Sequence, residues 1–279
     1  MYRWLVWAGA LVCFLAVWHL NSDILSAEQR IPTQDYWRYW TAWRINRLGH
    51  NPYDSSNIEL LDDDFLEFDF PPKNLPVILT PPWTLSILSP FIILDYPASR
   101  LLWLLASIVI LFICTNAIWQ IYKGPKQYRG TGWLIAFTSL SAIGLLKQGQ
   151  ITILVLLGVI GFLYFIEVYQ NDWLAGASLA LITIKPQLLI LFWIALFLWI
   201  VQQRRWKILF GLGMALLPIS LFVFLDNPAI FQQFIYEYKN QSAAIWMTPT
   251  LGTYLRLFFG PILSDTFFPE ICTDFLFIP

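Results

Sequence analysis

Eight stretches of this chain contain no Asp, Glu, Lys or Arg: Trp4–Leu20, Leu75–Leu94, Leu101–Ile121, Trp133–Leu146, Ile151–Ile166, Leu174–Ile184, Leu188–Val201 and Ile208–Leu225. A water-soluble domain carries roughly 25% charged residues, and this chain has 13% charged, 58% hydrophobic and 18% aromatic. So many uncharged runs have no aqueous surface to border, and the bilayer is the solvent that accommodates them. The fold class that follows is an all-α polytopic membrane protein. With 17 Lys and Arg against 18 Asp and Glu, no bulk basic field points to nucleic acid. Cys13, Cys114 and Cys272 are odd in number and not at metal-like spacing, so neither a disulfide framework nor a zinc site follows.

Trp4–Leu20, preceded by Arg3 and followed by Asn21-Ser22-Asp23, is long and Trp-rich for a signal peptide and reads as a retained first helix. Several later runs are shorter than the roughly 20 residues that cross a bilayer upright, and the short ones come in pairs. Lys147-Gln148-Gly149-Gln150 separates one pair and Lys185-Pro186-Gln187 the other. Each pair reads as a helical hairpin with Lys and Gln at its tip. For the second pair, one helix kinked at Pro186 is the competing reading. A lysine just inside the membrane boundary is costly unless it meets an anion or water.

Orientation comes from the basic loops. Arg3, the group Lys123, Lys126 and Arg129, and the group Arg204, Arg205 and Lys207 are expected on the cytoplasmic side. That puts Lys147 and Lys185 outside, together with residues 21–74, which hold ten acidic residues against five basic ones. Leu75–Leu94 breaks the scheme if it crosses. With Pro76, Pro81, Pro82 and Pro90 interrupting its hydrogen bonds, it is read as re-entrant or lying on the membrane surface. The expected architecture is about seven crossings in residues 1–226, an outer loop over 21–98, and an extracytoplasmic tail over 227–279. An eight-helix arrangement with the basic loop outside is the alternative.

In the outer loop, Tyr36, Tyr39, Trp40 and Trp43 recur at helical spacing after Asp35, and Gly49 follows. The pattern predicts a helix lying flat at the interface, its four rings anchored at headgroup level and Gly49 ending it. Asp35 at its start reads as an N-cap. A capping carboxylate is also free to face a reaction. Asp62-Asp63-Asp64 reads as a solvated acidic loop, because hard-cation sites use alternating oxygen ligands in a turned loop. His19 and His50 stand apart with no companion Cys. No Gly-rich phosphate loop is present, and no metal site or cofactor is expected.

Taken in order, Asp35-Tyr-Trp-Arg-Tyr, Gly49-His-Asn-Pro-Tyr-Asp54, Pro81-Pro-Trp-Thr-Leu-Ser-Ile-Leu-Ser-Pro90, Lys147-Gln-Gly-Gln-Ile-Thr-Ile-Leu154 and Ala175-Gly176 followed by Ile184-Lys185-Pro186, with Asn240-Gln-Ser242 and Leu251–Arg256 further on, resemble glycosyltransferase family 87. That family comprises polyprenol-phosphate-mannose-dependent mannosyltransferases of GT-C architecture. The resemblance implies a GT-C-like bundle and a transferase taking a hexose, mannose in the family, from a polyprenyl-phosphate donor to a glycan or glycolipid hydroxyl with inversion. It also implies a site on the extracytoplasmic face of a bacterial plasma membrane. Asp35 occupies the position of the family's catalytic carboxylate. Lys147 and Lys185 are candidates for the donor phosphate, and Gln148 and Gln150 for sugar hydroxyls; simple snorkelling is the plainer reading of the lysines. Family members usually continue further, so the chain is expected to be C-terminally short. A polytopic transporter or lipid flippase and an inactive assembly module are the competing classes.

Overall fold

The structure, a computed structural model, describes residues 35–61 and 77–240. The run Trp4–Leu20, the Asp62–Asp64 loop, and the later segments at 242 and 251–256 lie outside the described residues, as do His19, Cys13 and Cys272. The chain divides into two compact units, Met1–Phe234 and Ile235–Pro279, and of the second only 235–240 is described.

Every regular element among the described residues is helical: α1 Asp35–Arg47, α2 Trp83–Ile92, α3 Tyr96–Ile121, α4 Arg129–Thr138, α5 Leu140–Gln148, α6 Thr152–Glu167, α7 Asp172–Ile182, α8 Ile190–Gln203, α9 Lys207–Asp226 and α10 Ile230–Asn240. Three stretches are long and apolar enough to cross a bilayer, Tyr96–Ile121, Pro186–Gln203 and Lys207–Asp226; α4 and α5, bent by 57° at Ser139, make a fourth if they are one broken span. The expected all-α polytopic membrane class is therefore found. α6 and α7 are shorter apolar helices, about 24 Å and 17 Å long at 1.5 Å per residue, against a hydrocarbon core of about 30 Å. α2 extends only about 15 Å on the same rise. Its internal Pro90 has no N–H for the Ser86 carbonyl, and the Ser89 hydroxyl donates to that carbonyl instead, at 2.8 Å. α3 begins at Tyr96, five residues before the uncharged run, because Pro97 is tolerated in a first turn.

The two expected hairpins are not packed pairs. α5 packs on α3 and α4, while α6 packs on α3 and α7; α7 in turn lies between α6 and α9. The partners are chosen by small residues, which let helix backbones approach closely in lipid. A Cβ on Gly158 of α6 would stand 2.8 Å from Ile182 of α7, one on Gly176 of α7 would stand 2.0 Å from the Ile208 carbonyl oxygen of α9, and one on Gly211 would stand 2.3 Å from the Trp173 carbonyl oxygen. The close antiparallel partner of α6 is thus reached through the turn at 168–171, at the end away from the lysine tips.

Helix ends sort into two groups. At one end Tyr164 donates to Gln120, Arg129 to Asn116 and Arg205 to Asp172, which gathers Lys123, Lys126, Arg129, Arg204, Arg205 and Lys207 there. At the other end Asn46 and Arg47 of α1 reach Asp226 at 2.6 and 2.8 Å, and Trp40 donates to the Leu94 carbonyl at 3.0 Å. Apolar side chains of α8 and α9, among them Leu191, Phe197, Met214 and Leu217, are exposed, as expected of faces that meet lipid.

Candidate active site

α1 forms as the spacing predicts. Asp35 lies in its first turn and Arg44 and Arg47 in its last, each charge opposing the helix dipole at its own end. It terminates through His50 N–H to the Ile45 carbonyl and Gly49 N–H to the Asn46 carbonyl, with Gly49 at φ +81°, the left-handed turn that closes a helix. The Gly49–Asp54 segment then folds back. Tyr53 accepts the Val77 N–H on its carbonyl at 3.2 Å, and its hydroxyl donates to the Thr80 carbonyl at 3.3 Å. This ties the start of the 77–82 segment to α1.

The four rings expected at headgroup level are packed inside the chain: Tyr36, Tyr39, Trp40 and Trp43 are 0, 6, 1 and 6% exposed. Tyr36 stacks on Trp103 of α3 with ring centroids 5.5 Å apart, and Trp40 meets Tyr96 edge-on. α1 is therefore held by α2 and α3 on the apolar stripe that was expected to lie in lipid. Helical spacing identifies an apolar face and is silent on whether protein or membrane covers it.

Packing of Tyr36 fixes the first lysine turn. The Ser139 hydroxyl caps α5 by accepting the Ala142 N–H at 3.3 Å, and α5 ends at Gly149 in the left-handed region, φ +63°. There the Gly149 carbonyl accepts the Trp103 indole N–H at 3.0 Å, and a Cβ on Gly149 would sit 2.8 Å from the Cβ of Tyr36. Glycine is required on both counts. Lys147 and Gln148 are exposed on this turn, and the Gln150 amide donates to the Gln148 side-chain oxygen.

The second lysine turn is fixed by α2. The Trp83 indole N–H donates to the Thr183 hydroxyl at 3.0 Å, and Pro186 opens a short 3-10 turn through Leu189. Lys185, half-buried between them, donates from Nζ to the Thr152 hydroxyl at 3.2 Å. Burial pushes the Lys185 ammonium below the usual lysine range, and the negative charge of Asp35 works against that shift. Asp35 and Lys185 are thus close enough to act on each other. Asp35 also bears on Tyr39, whose hydroxyl burial holds well above the usual tyrosine range, with the Asp35 charge adding to that shift.

The structure brings the start of α1, the Gly149 turn and the Lys185 turn to one place, at the end opposite both basic clusters. Thr152 and Trp83 are participants not singled out from the sequence. Thr152 carried a signal, since it lies within the Lys147–Leu154 motif. Trp83 carried none, because nothing local says that its indole will meet Thr183. Among the described residues no group of three or more His, Cys, Asp or Glu side chains is placed to hold a metal ion. The arrangement offers one carboxylate, one partly desolvated ammonium, an exposed lysine and two amides: the equipment to accept a proton from a hydroxyl and to face an anion.

No curated protein and no solved structure matches the chain. The sequence profile of glycosyltransferase family 87 matches residues 79–258, a span that contains Lys147, Gln148, Gln150, Thr152 and Lys185 and begins after Asp35. With well over half of its length covered by that profile, the chain belongs to glycosyltransferase family 87, and it is a membrane glycosyltransferase.

Proposed function

We propose that this protein transfers a hexose, mannose by its likeness to the family, from a polyprenyl-phosphate donor to the hydroxyl of a glycan or glycolipid acceptor, on the extracytoplasmic side of the bilayer. The observation that carries the reading is the convergence of three elements remote in sequence, with Tyr36, next to Asp35, packed against the Gly149 turn and Lys185 Nζ donating to the Thr152 hydroxyl. In the proposed step Asp35 accepts the acceptor's hydroxyl proton. The acceptor oxygen bonds to the anomeric carbon as its bond to the phosphate oxygen breaks, and the electron pair leaves with the polyprenyl phosphate. Lys185 and Lys147 face the charge that grows on that phosphate, and Gln148 and Gln150 hold sugar hydroxyls. Displacement in line inverts the anomeric carbon. The side assignment is supported by the gathering of both basic clusters at the far end.

The test is donor consumption by the purified chain in lipid with polyprenyl-phosphate-mannose and a panel of simple mannoside acceptors. Native protein is expected to consume donor. Asp35→Asn keeps the shape of the side chain and removes the base, and is expected to lower the rate by about 10²–10⁴-fold with thermal stability unchanged. Transfer at the native rate by Asp35→Asn would remove Asp35 from the mechanism.

A further inference from the structure

Arg100 takes no part in the site described so far. The uncharged run begins one residue after it, yet α3 begins at Tyr96, so Arg100 lies inside the helix, half-buried. At 3.6 residues per turn it falls on the same stripe as Tyr96, Leu104 and Ser107, all buried, and so belongs to the inward face of α3. Its guanidinium and the Tyr96 hydroxyl are close enough to act on each other, and the Tyr96 hydroxyl in turn acts on that of Tyr36.

Among the described residues Arg100 has no hydrogen-bond or ion-pair partner. Two arginines of α1, by contrast, have partners: Arg44 meets the Leu94 carbonyl and Asp95 through its terminal nitrogen, its Nε alone being buried without one, and Arg47 meets Asp226. Asp95, the nearest acid in sequence, is turned outward to Arg44 at 3.9 Å. The Tyr96 hydroxyl is a second, independent mark. Its residue is 5% exposed, and the oxygen has no partner among the described residues. Among the described residues, then, a half-buried guanidinium and a buried hydroxyl one turn before it, near the end of a membrane helix, have donors left for an acceptor with several oxygens. Arginine's planar fork suits a phosphate, and in this setting a lipid carries it.

We propose that Arg100, assisted by the Tyr96 hydroxyl, binds the phosphate of a membrane lipid, and that this lipid is the polyprenyl-phosphate donor. The proposal rests on the lipid-linked donor of the preceding subsection. Lys185 already has Thr152 and Asp35 as neighbours and Lys147 is exposed, so among the described residues Arg100 is a half-buried cation with its donors left for the ligand. Tyr36 joins the two places: it follows Asp35 directly, and its hydroxyl bonds the Ser99 hydroxyl beside Arg100 at 2.8 Å.

Native mass spectrometry of the full chain in detergent tests this without turnover, titrating a long-chain polyprenyl phosphate, the uncharged polyprenol and phosphatidylglycerol against native protein, Arg100→Gln, Arg100→Lys and Tyr96→Phe. Native protein is expected to bind the polyprenyl phosphate more tightly than the polyprenol. Arg100→Gln is expected to weaken it by about tenfold or more, the scale of a lost charged hydrogen bond, while polyprenol binding stays the same. Arg100→Lys should retain part of the affinity and Tyr96→Phe should lose a few-fold. Arg100→Gln should melt no lower than native, since a half-buried charge with no partner among the described residues is removed. Undiminished polyprenyl-phosphate binding by Arg100→Gln overturns the proposal whatever the transfer assay shows. Arg100-dependent binding of phosphatidylglycerol in place of polyprenyl phosphate keeps the phosphate site and overturns the donor assignment.

Discussion

At the scale of single residues, the charge state of Lys185 carries a pH signature. Burial disfavours its ammonium, so the proton leaves at a lower pH than from an ordinary lysine. If the ammonium faces the departing phosphate, transfer declines as pH rises through that lowered value. Lys185→Arg replaces it with a group that stays charged, so the alkaline decline is expected to move out of range even if the maximal rate falls. A pH–rate profile of both proteins checks this; identical alkaline limbs would separate Lys185 from the chemistry. Lys185 was legible as a candidate because charge between two apolar runs is conspicuous, and Asp35 because it opens the aromatic helix and holds the position that the family resemblance gives to a carboxylate. Their juxtaposition was not, since it depends on Trp83 reaching Thr183 and on Trp103 reaching Gly149, contacts that no local pattern encodes.

At the scale of elements, glycines decide which helices adjoin. Gly176 of α7 stands where a methyl group would lie 2.0 Å from the Ile208 carbonyl oxygen, and backbone cannot move aside as a side chain does. Gly176→Ala is expected to force α7 and α9 apart and destabilise the protein by about 1–3 kcal/mol, read as a lower melting temperature in detergent. Gly213→Ala, on the same α9 with open space around it, is the control and should leave melting unchanged or raise it slightly. The apolar runs announced the helices, and Gly49 announced the end of α1. The hairpin reading failed because short connections between short helices look alike in sequence whether the arms pack together or part. Gly158, Gly176 and Gly211 held the answer, yet a small residue shows only that some close approach occurs. The four aromatic residues of α1 illustrate the same limit, since α2 and α3 cover the face that lipid was expected to cover.

At the scale of the whole molecule, the sorting of helix ends yields a topology test. Single cysteines placed at exposed Lys147 and Gln187, and at exposed Lys126 and Arg204, should fall into two groups toward a membrane-impermeant thiol reagent applied to intact cells. The first two are expected to react and the second two to be protected until the membrane is opened. Reaction of Lys126→Cys from outside would invert the proposed orientation and favour the eight-helix reading. The connection between ends is carried by polar contacts such as Arg47 with Asp226 and Arg205 with Asp172, which are placed where helices terminate and water or headgroups are close.

The absence of charge from long runs determined the all-helical membrane class, because a helix satisfies its own backbone wherever lipid offers no partner. The Lys147 and Lys185 turns, Asp35, and the order of the motifs were likewise readable along the chain, since each is a local pattern. Only the tertiary structure decided that α6 adjoins α7 and α7 adjoins α9, that Tyr36 packs against the Gly149 turn, that Thr152 receives Lys185, and that Arg100 lies half-buried on α3 with no partner among the described residues. Those outcomes depend on steric fit between surfaces distant in sequence, and one-dimensional pattern carries no measure of which surface will be met.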